Sequence, residues 1–415
     1  MNKNTIKTVA AATVFAFGLS MVPAPAFAVS TNIVAETEGK NTLTLSQIQD
    51  LAVIYNDTVD SLELSIKQLE NQEMMTRNQK RSAQNSLYDL ETETRAPEDM
   101  NENGKIDEWE QELADEMNSA ANSASDMMFD QTISQIDQLN DALEQMAEGK
   151  EDLQDALKDL EHIMRYTSAQ LALNIVQLTE SASLIENQIV LLDKSIAVYE
   201  LQEKLGMATT INVDTQRTSK VEAENQLRDT KEQIDNLKRT LNRLIGREAN
   251  NPLEVVPMEL SGVIEPAPVF KQELIDEFIK VNPDLVTLLE ERQDLKDSVK
   301  SDMGSDEKQD IEYQIQAKDM EIKKQRQTAE DDLKAMIATM TKNAVNYRVS
   351  KEKLATEQKN FAIAQKKFEL GMISQMQLMQ NELTLAQAEL TNLSNGYQHY
   401  FDWQKFKLAR QGIEV

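Results

Sequence analysis

The stretch Asp99-Met100-Asn101-Glu102-Asn103-Gly104-Lys105-Ile106-Asp107-Glu108-Trp109-Glu110 carries the most specific chemical pattern of the 415-residue chain. Asp99, Asn101 and Asn103 place side-chain oxygens at positions one, three and five of a twelve-residue loop. Gly104 permits the sharp turn at six, and Lys105 offers its backbone carbonyl at seven, where its side chain is irrelevant. Asp107 serves at nine, directly or through water, and Glu110 closes the set bidentately at twelve. An all-oxygen set of this spacing suits Ca2+, and calcium binding is the chemistry it predicts. The alternative is a polar, acidic bend that holds no ion. Pro97 stops the preceding helix and Glu108 to Met117 reads as the exiting one. A single loop without a paired second one implies weak affinity and a structural role, fixing a bend.

Other chemistry is sparse. His162 and His399 are the two histidines, far apart in sequence, and cysteine is absent. No phosphate-cradling glycine loop, nucleophile motif or zinc pattern occurs. Paired acids are abundant, but any acidic helix supplies them. The reading is therefore not an enzyme. A formal charge of −28 repels nucleic acid and anionic lipid surfaces. The bland account is that these carboxylates solvate long helices. Forty per cent hydrophobic residues with only 5% aromatic, 11 Gly and 8 Pro suits elongated helices rather than a compact globule. Methionine is frequent, and Met372, Met376 and Met379 cluster late in the chain.

The elements around the loop are rod-like. Leu205-Gly206-Met207 and Leu370-Gly371-Met372 repeat a tripeptide 165 residues apart. Met340, Tyr347, Leu354, Phe361 and Phe368 precede the second copy at steps of seven, and Met379, Leu383, Ala386, Leu390, Leu393, Tyr397 and Tyr400 follow at four and three. Leu171 to Tyr199 and Leu227 to Leu244 flank the first copy in the same manner. A 3.5-residue apolar seam is buried by pairing with another helix, and glycine ends one helix and turns the chain. The pattern predicts an all-α fold of two long antiparallel coiled-coil hairpins from an internal duplication, each tipped by Leu-Gly-Met.

Taken in order, residues 1–28 read as a secretory signal. Lys3 and Lys7 open it, Thr8 to Val22 is apolar and small, and Ala26-Phe27-Ala28 is a cleavage site. No stretch of the mature chain is long enough to span a membrane as a helix. A first helix, capped at Thr44 or Ser46, carries Leu51, Ile54, Val59, Leu62, Leu64, Ile66 and Leu69 and continues through a polar stretch. The ascending arm runs from about Glu110 to Leu205, with Gly149 a point of interruption, and the descending arm from Val213 to Ile245. Residues 29–250 form a first repeat. Pro252, Pro257, Pro266 and Pro268 make 251–270 a linker, with Val255-Val256 and Val263-Ile264 extended. Residues 271–415 form the second repeat. Lys271 begins a helix, Asn282-Pro283 restarts it, Ser301 to Glu307 breaks it, and arms from Asp310 to Leu370 and from Ser374 to Gln411 follow. The aromatic C-terminal end is expected where several helix ends converge.

The Asn-rich loop resembles extracellular EF-hand-like loops such as those of dockerins, which carry two; here there is one. Residues 43–412 resemble the TolC family of outer-membrane efflux proteins. The resemblance rests on the duplicated layout, on Phe368-Glu-Leu-Gly371-Met-Ile-Ser-Gln-Met-Gln-Leu378 with its partner Glu203-Lys-Leu-Gly206-Met-Ala-Thr209, and on Leu244-Ile-Gly246 before the Pro-rich connection. It implies that Leu205, Gly206, Met207, Leu370, Gly371 and Met372 form tips that meet a membrane-fusion or adaptor-type protein, or another coiled-coil protein, and that three protomers form a tunnel. Members with a membrane barrel insert two strands in each half. Here those places hold 71–118 and 296–324, which lack the apolar/polar alternation of membrane strands. The expectation is a barrel-less relative with a calcium-loop insert.

The resulting functional expectation is an exported, non-enzymatic component of an efflux or secretion assembly. It would be extracellular or in the cell envelope, in the outer membrane or periplasm only if the host has two membranes. The competing expectation is a calcium-stabilised coiled-coil spacer or cell-surface protein with no transport role.

Overall fold

A computed structural model describes residues 37, 39–88, 106, 108–260, 267–300 and 303–414. The predicted signal segment lies outside these residues, as do Val263-Ile264 and the loop positions Asp99, Asn101, Asn103, Lys105 and Asp107. Glu110 enters only as a helical position. Among the described residues there are eight helices and two short strands.

The first half runs β1 (Thr42–Leu43), α1 (Leu45–Ile54), α2 (Asp57–Tyr88), α3 (Glu108–Lys204) and α4 (Thr210–Leu244). Then come β2 (Glu254–Val255), α5 (Gln272–Val281), α6 (Pro283–Asp297), α7 (Ser305–Glu369) and α8 (Gln375–Ala409). The duplication is exact in places. α1 and α5 each have 10 residues, and α4 and α8 each have 35. It diverges where the first half is longer: α2 has 32 residues against 15 in α6, and α3 has 97 against 65 in α7.

Local sequence explains most boundaries. Thr44 caps α1: its hydroxyl accepts from the Gln47 amide at 3.3 Å, and Gln47 Oε1 accepts from the Thr44 amide at 3.0 Å. Asn282 Oδ1 accepts from the Leu285 amide at 3.0 Å, with Pro283 in the first turn of α6, where its missing N–H is not needed. The single helix expected from Leu51 to Leu69 is instead two. Tyr55 leaves helical geometry at φ −102°, ψ 22°, and α2 starts at Asp57. Apolar residues continue on both sides of this break, so periodicity alone joins them. Conversely, Gly149 does not interrupt α3. The second long arm also starts earlier than expected, at Ser305, because Gly304 and Glu307 form a cap in which Glu307 Oε2 accepts from the Gly304 amide at 3.2 Å.

The chain divides into two compact units. One comprises, in its described part, residues 57–88, 106 and 108–158. In it α2 lies along the N-terminal part of α3: Lys150 Nζ meets Glu73 at 3.0 Å, and Thr76 Oγ1 lies 3.9 Å from Met146 Sδ. Val59, Ile66, Ala83 and Ala114 are its buried apolar residues.

The other unit holds, in its described part, residues 37, 39–56, 159–260, 267–300 and 303–414. Its contacts establish antiparallel pairing, because partner numbers rise on one helix as they fall on the other. Glu186, Asp193 and Glu200 of α3 meet Lys231, Lys220 and Arg217 of α4. Asn343 and Ser350 of α7 meet Asp402 and Asn392 of α8. These are the two coiled-coil hairpins. β1 and β2 pair in parallel, Thr42 with Glu254 and Leu43 with Val255.

Two apolar clusters fill this unit. Leu43, Ile48, Leu173, Ile175, Leu241 and Ile245 belong to one; Leu285, Leu333, Met340 and Phe406 belong to the other. α8 serves both, through Tyr397 and Tyr400 in the first and Phe406 in the second. The C-terminal aromatics do converge: Tyr166 and Trp403 meet Phe401 and Phe406 edge-on at 5.7 and 5.5 Å. Burial pushes the Tyr397 phenol up to about 12. Among the described residues there is no β-barrel, and no helix is long and apolar enough to cross a membrane.

Candidate functional site

The two Leu-Gly-Met segments are built alike, from helix end to helix start. α3 ends at Lys204, where the Gly206 amide donates to Glu203 O at 2.9 Å and the Met207 amide to Gln202 O at 2.7 Å. α7 ends with Gly371 donating to Phe368 O at 2.9 Å and Met372 to Lys367 O at 2.8 Å. Both are Schellman closures, which satisfy the last helical carbonyls and require a left-handed residue. Gly206 and Gly371 supply it at φ 71° and 69°. Helix restarts are also matched. Asn212 Oδ1 accepts from the Thr209 amide at 3.0 Å; Gln377 Oε1 accepts from the Ser374 amide at 2.9 Å, and the Ser374 hydroxyl from the Gln377 amide at 3.2 Å. A five-residue turn thus reverses each hairpin, at 205–209 and at 370–374.

Both tips lie at the same end of their unit. Tyr166, Gln177 and Lys194 of α3 contact Phe401, Ser394 and Met379 of α8 respectively. α3 therefore climbs towards the first tip beside α8, which descends from the second. At that end the side chains are apolar and open to solvent: Leu205 is 64% exposed, Met207 75%, Leu370 75% and Met372 69%. A Cβ placed on Gly206 or Gly371 meets nothing within 4 Å. The structure thus brings all six residues expected at the tips to two neighbouring turns, each presenting a leucine and a methionine.

Below the first tip, ion pairs fix the register of α3 on α4. Arg217 lies 2.7 Å from Glu200, and the hydrogen bond between them raises the guanidinium pKa. Lys220 lies 2.6 Å from Asp193, with the same effect on the ammonium. These pairs are solvent-exposed and add little stability, but they select one alignment.

Sequence reasoning marked Gly246 as the end of the first return arm but missed its counterpart, Gly412. Gly246 and Gly412, just beyond α4 and α8, also have positive φ, at 70° and 81°. They use the same closure: Arg247 donates to Asn242 O at 2.7 Å, and Ile413 to Leu408 O at 3.0 Å. Unlike the tips, they are tightly packed. A Cβ on Gly246 would lie 2.2 Å from the Tyr55 ring, and one on Gly412 2.5 Å from the Val281 carbonyl oxygen. Each return helix therefore ends against the break between the first two helices of its own half. The signal was present as Ile245-Gly246 and Gln411-Gly412 after equal-length helices, but only the tertiary contact gives it meaning.

A groove of about 510 Å3 between α3 and α8 is lined by amides, hydroxyls and leucines, among them Asn174, Gln177, Ser181 and Leu390, and none of its lining side chains titrates. His399 is buried on α8. Among the described residues no group of three His, Cys, Asp or Glu is placed to hold a metal.

No protein-family model and no curated protein sequence matches the chain. Among solved structures it is similar to CusC, a protein described in terms of folding and transmembrane channel formation, at a TM-score of 0.54 and 12% identity, over 89% of this chain and 96% of that one. Looser overlays are with VceC, an outer membrane protein of Vibrio cholerae (TM-score 0.45, 9% identity, 89% of this chain and 96% of that one), and with the CmeC outer membrane channel of Campylobacter jejuni (0.44, 11%, 96% and 95%). The CusC overlay assigns the fold, the TolC-like arrangement of two helical hairpins.

Proposed function

We propose that this protein is an exported, non-enzymatic component of an efflux or secretion assembly in the cell envelope, and that it docks a membrane-fusion or adaptor-type partner through its two hairpin tips. The observation that carries this reading is the pair of matched turns at one end of a TolC-like fold, with Leu205, Met207, Leu370 and Met372 held open to solvent. Exposed apolar side chains on rigid turns are suited to burial against a partner. Three protomers around a common bore complete the conduit in this reading. Its solution mass is expected to be that of a trimer, and an extended monomer would favour the spacer alternative.

The direct test is photo-crosslinking in the native host, with a photoreactive residue at Met207 or Met372 and a control at exposed Lys323. Adducts with another envelope protein are expected at the tips and not at the control. Gly371→Val is expected to remove the Met372 adduct while far-UV circular dichroism stays unchanged. The glycine stands in open space, so the strain is confined to the turn, at about 1–2 kcal/mol. Tips that yield no adduct, or adducts indifferent to Gly371→Val, would sink the docking idea.

We further propose that Asp99, Asn101, Asn103, Lys105, Asp107 and Glu110 bind one structural Ca2+. Titrating Ca2+ into the chelator-stripped chain is expected to release or absorb heat and to raise the melting temperature. Asp99→Ala with Glu110→Ala is expected to abolish both responses. A parent chain indifferent to Ca2+ in calorimetry and melting would remove the ion from the account.

A further inference from the structure

α3 begins with an extreme charge bias. Between Glu108 and Glu148 it has eleven carboxylates and no lysine or arginine; Lys150 is the first cation. Within this stretch Met117, Ala120, Ala121, Ala124, Met127 and Met128 recur at steps of three and four. At 100° per residue they fall inside an arc of about 120°, a continuous apolar stripe over three turns. The stripe is exposed throughout: all six residues are solvent-accessible, Met127 at 73% and Met128 at 58%. Phe129 beside it is exposed as well. Asp126 lies on the far side of the helix from the alanines, while Glu116 borders the stripe and Asp130 flanks it on the same side.

An exposed seam with a coiled-coil period is built to pack against another helix. Alanines in its middle let a second backbone come close, and flexible thioethers at its ends adapt to whatever faces them. Charge selects the occupant. A second copy of the stripe would bring another eleven carboxylates with no cation nearby, so self-pairing is opposed by repulsion. An anionic bilayer surface is repelled for the same reason. A helix with an apolar face and a lysine- or arginine-rich remainder gains on both counts. We propose that the stripe from Met117 to Met128 is the docking face for a cationic amphipathic helix of another protein. It lies in one unit and the hairpin tips lie in the other.

The test titrates the full chain into a fluorescein-labelled synthetic helix of leucine and lysine in heptad order. The same composition in scrambled order and a version with glutamate for lysine serve as comparisons. The heptad peptide is expected to bind, more weakly as salt rises, and the other two at least about tenfold less tightly. Met117→Gln, Met127→Gln and Met128→Gln together keep good helix formers at exposed positions and are expected to lower affinity at least about tenfold with helicity unchanged. Glu116→Gln with Asp130→Asn, which neutralises the two carboxylates beside the stripe, is expected to lessen the salt dependence. Gly371→Val is expected to leave binding intact, which separates this surface from the tips. Equal binding of ordered and scrambled peptides would reduce the effect to bulk charge and overturn the proposal. So would a methionine variant that binds like the parent, or one whose own oligomeric mass falls, since the stripe would then belong to a second copy.

Discussion

Gly246→Ala is expected to destabilise the fold by about 2–5 kcal/mol, well beyond the same substitution at Gly206. The two glycines have nearly the same backbone, φ 70° and 71°, so a left-handed alanine costs about 1–2 kcal/mol at either site. They differ in what surrounds them. A methyl group at Gly206 points into open space, whereas at Gly246 it would lie 2.2–2.7 Å from three carbons of the Tyr55 ring. Ring and helix end must then part, which adds about 1–3 kcal/mol of overpacking. Denaturant midpoints of the two variants measure the difference. A companion Tyr55→Ala is expected to recover part of the loss in Gly246→Ala and none in Gly206→Ala, so the pair should be non-additive. Equal losses at Gly206 and Gly246 would mean that α4 does not end against the α1–α2 break.

Phe406→Ala is expected to remove about 3–5 kcal/mol, the range for emptying an aromatic site in a packed core. Phe406 is 1% exposed and sits among Leu285, Leu333 and Met340, with Trp403 edge-on at 5.5 Å. It joins α8 to α5, α6 and α7, so the cavity would loosen the whole second half rather than one helix pair. Phe368, on the same half near the tip, is 39% exposed, and its replacement by alanine should cost well under half as much. Near-ultraviolet circular dichroism would report the loss of the fixed Trp403 environment in the first variant and not in the second. If the two phenylalanines prove equivalent, the second core is wrongly placed.

The helical hairpins were legible because their information is local. A 3.5-residue seam names the buried face of each arm, Leu-Gly-Met names the reversal, and Asn282-Pro283 names a restart; all three stand where expected. The candidate tips were equally legible, since a left-handed glycine between two apolar seams has few other uses. What periodicity leaves open is which surface covers which. The break at Tyr55 has a local signal in Asn56-Asp57, the counterpart of Asn282-Pro283-Asp284, but the packing of its ring over the Gly246 backbone does not. Gly412 against Val281, and Gly396 making room for Leu260 and Tyr347, are likewise contacts between segments far apart in the chain. Parallel pairing of Leu43 with Val255 joins the two ends of the first half, and α8 contributes to both apolar clusters although its own pattern predicts one seam. Hydrophobic spacing fixes the face each rod must bury because that depends on neighbours three and four residues away. Its partners are decided by close packing of distant backbone and side chains, which only the folded chain brings together.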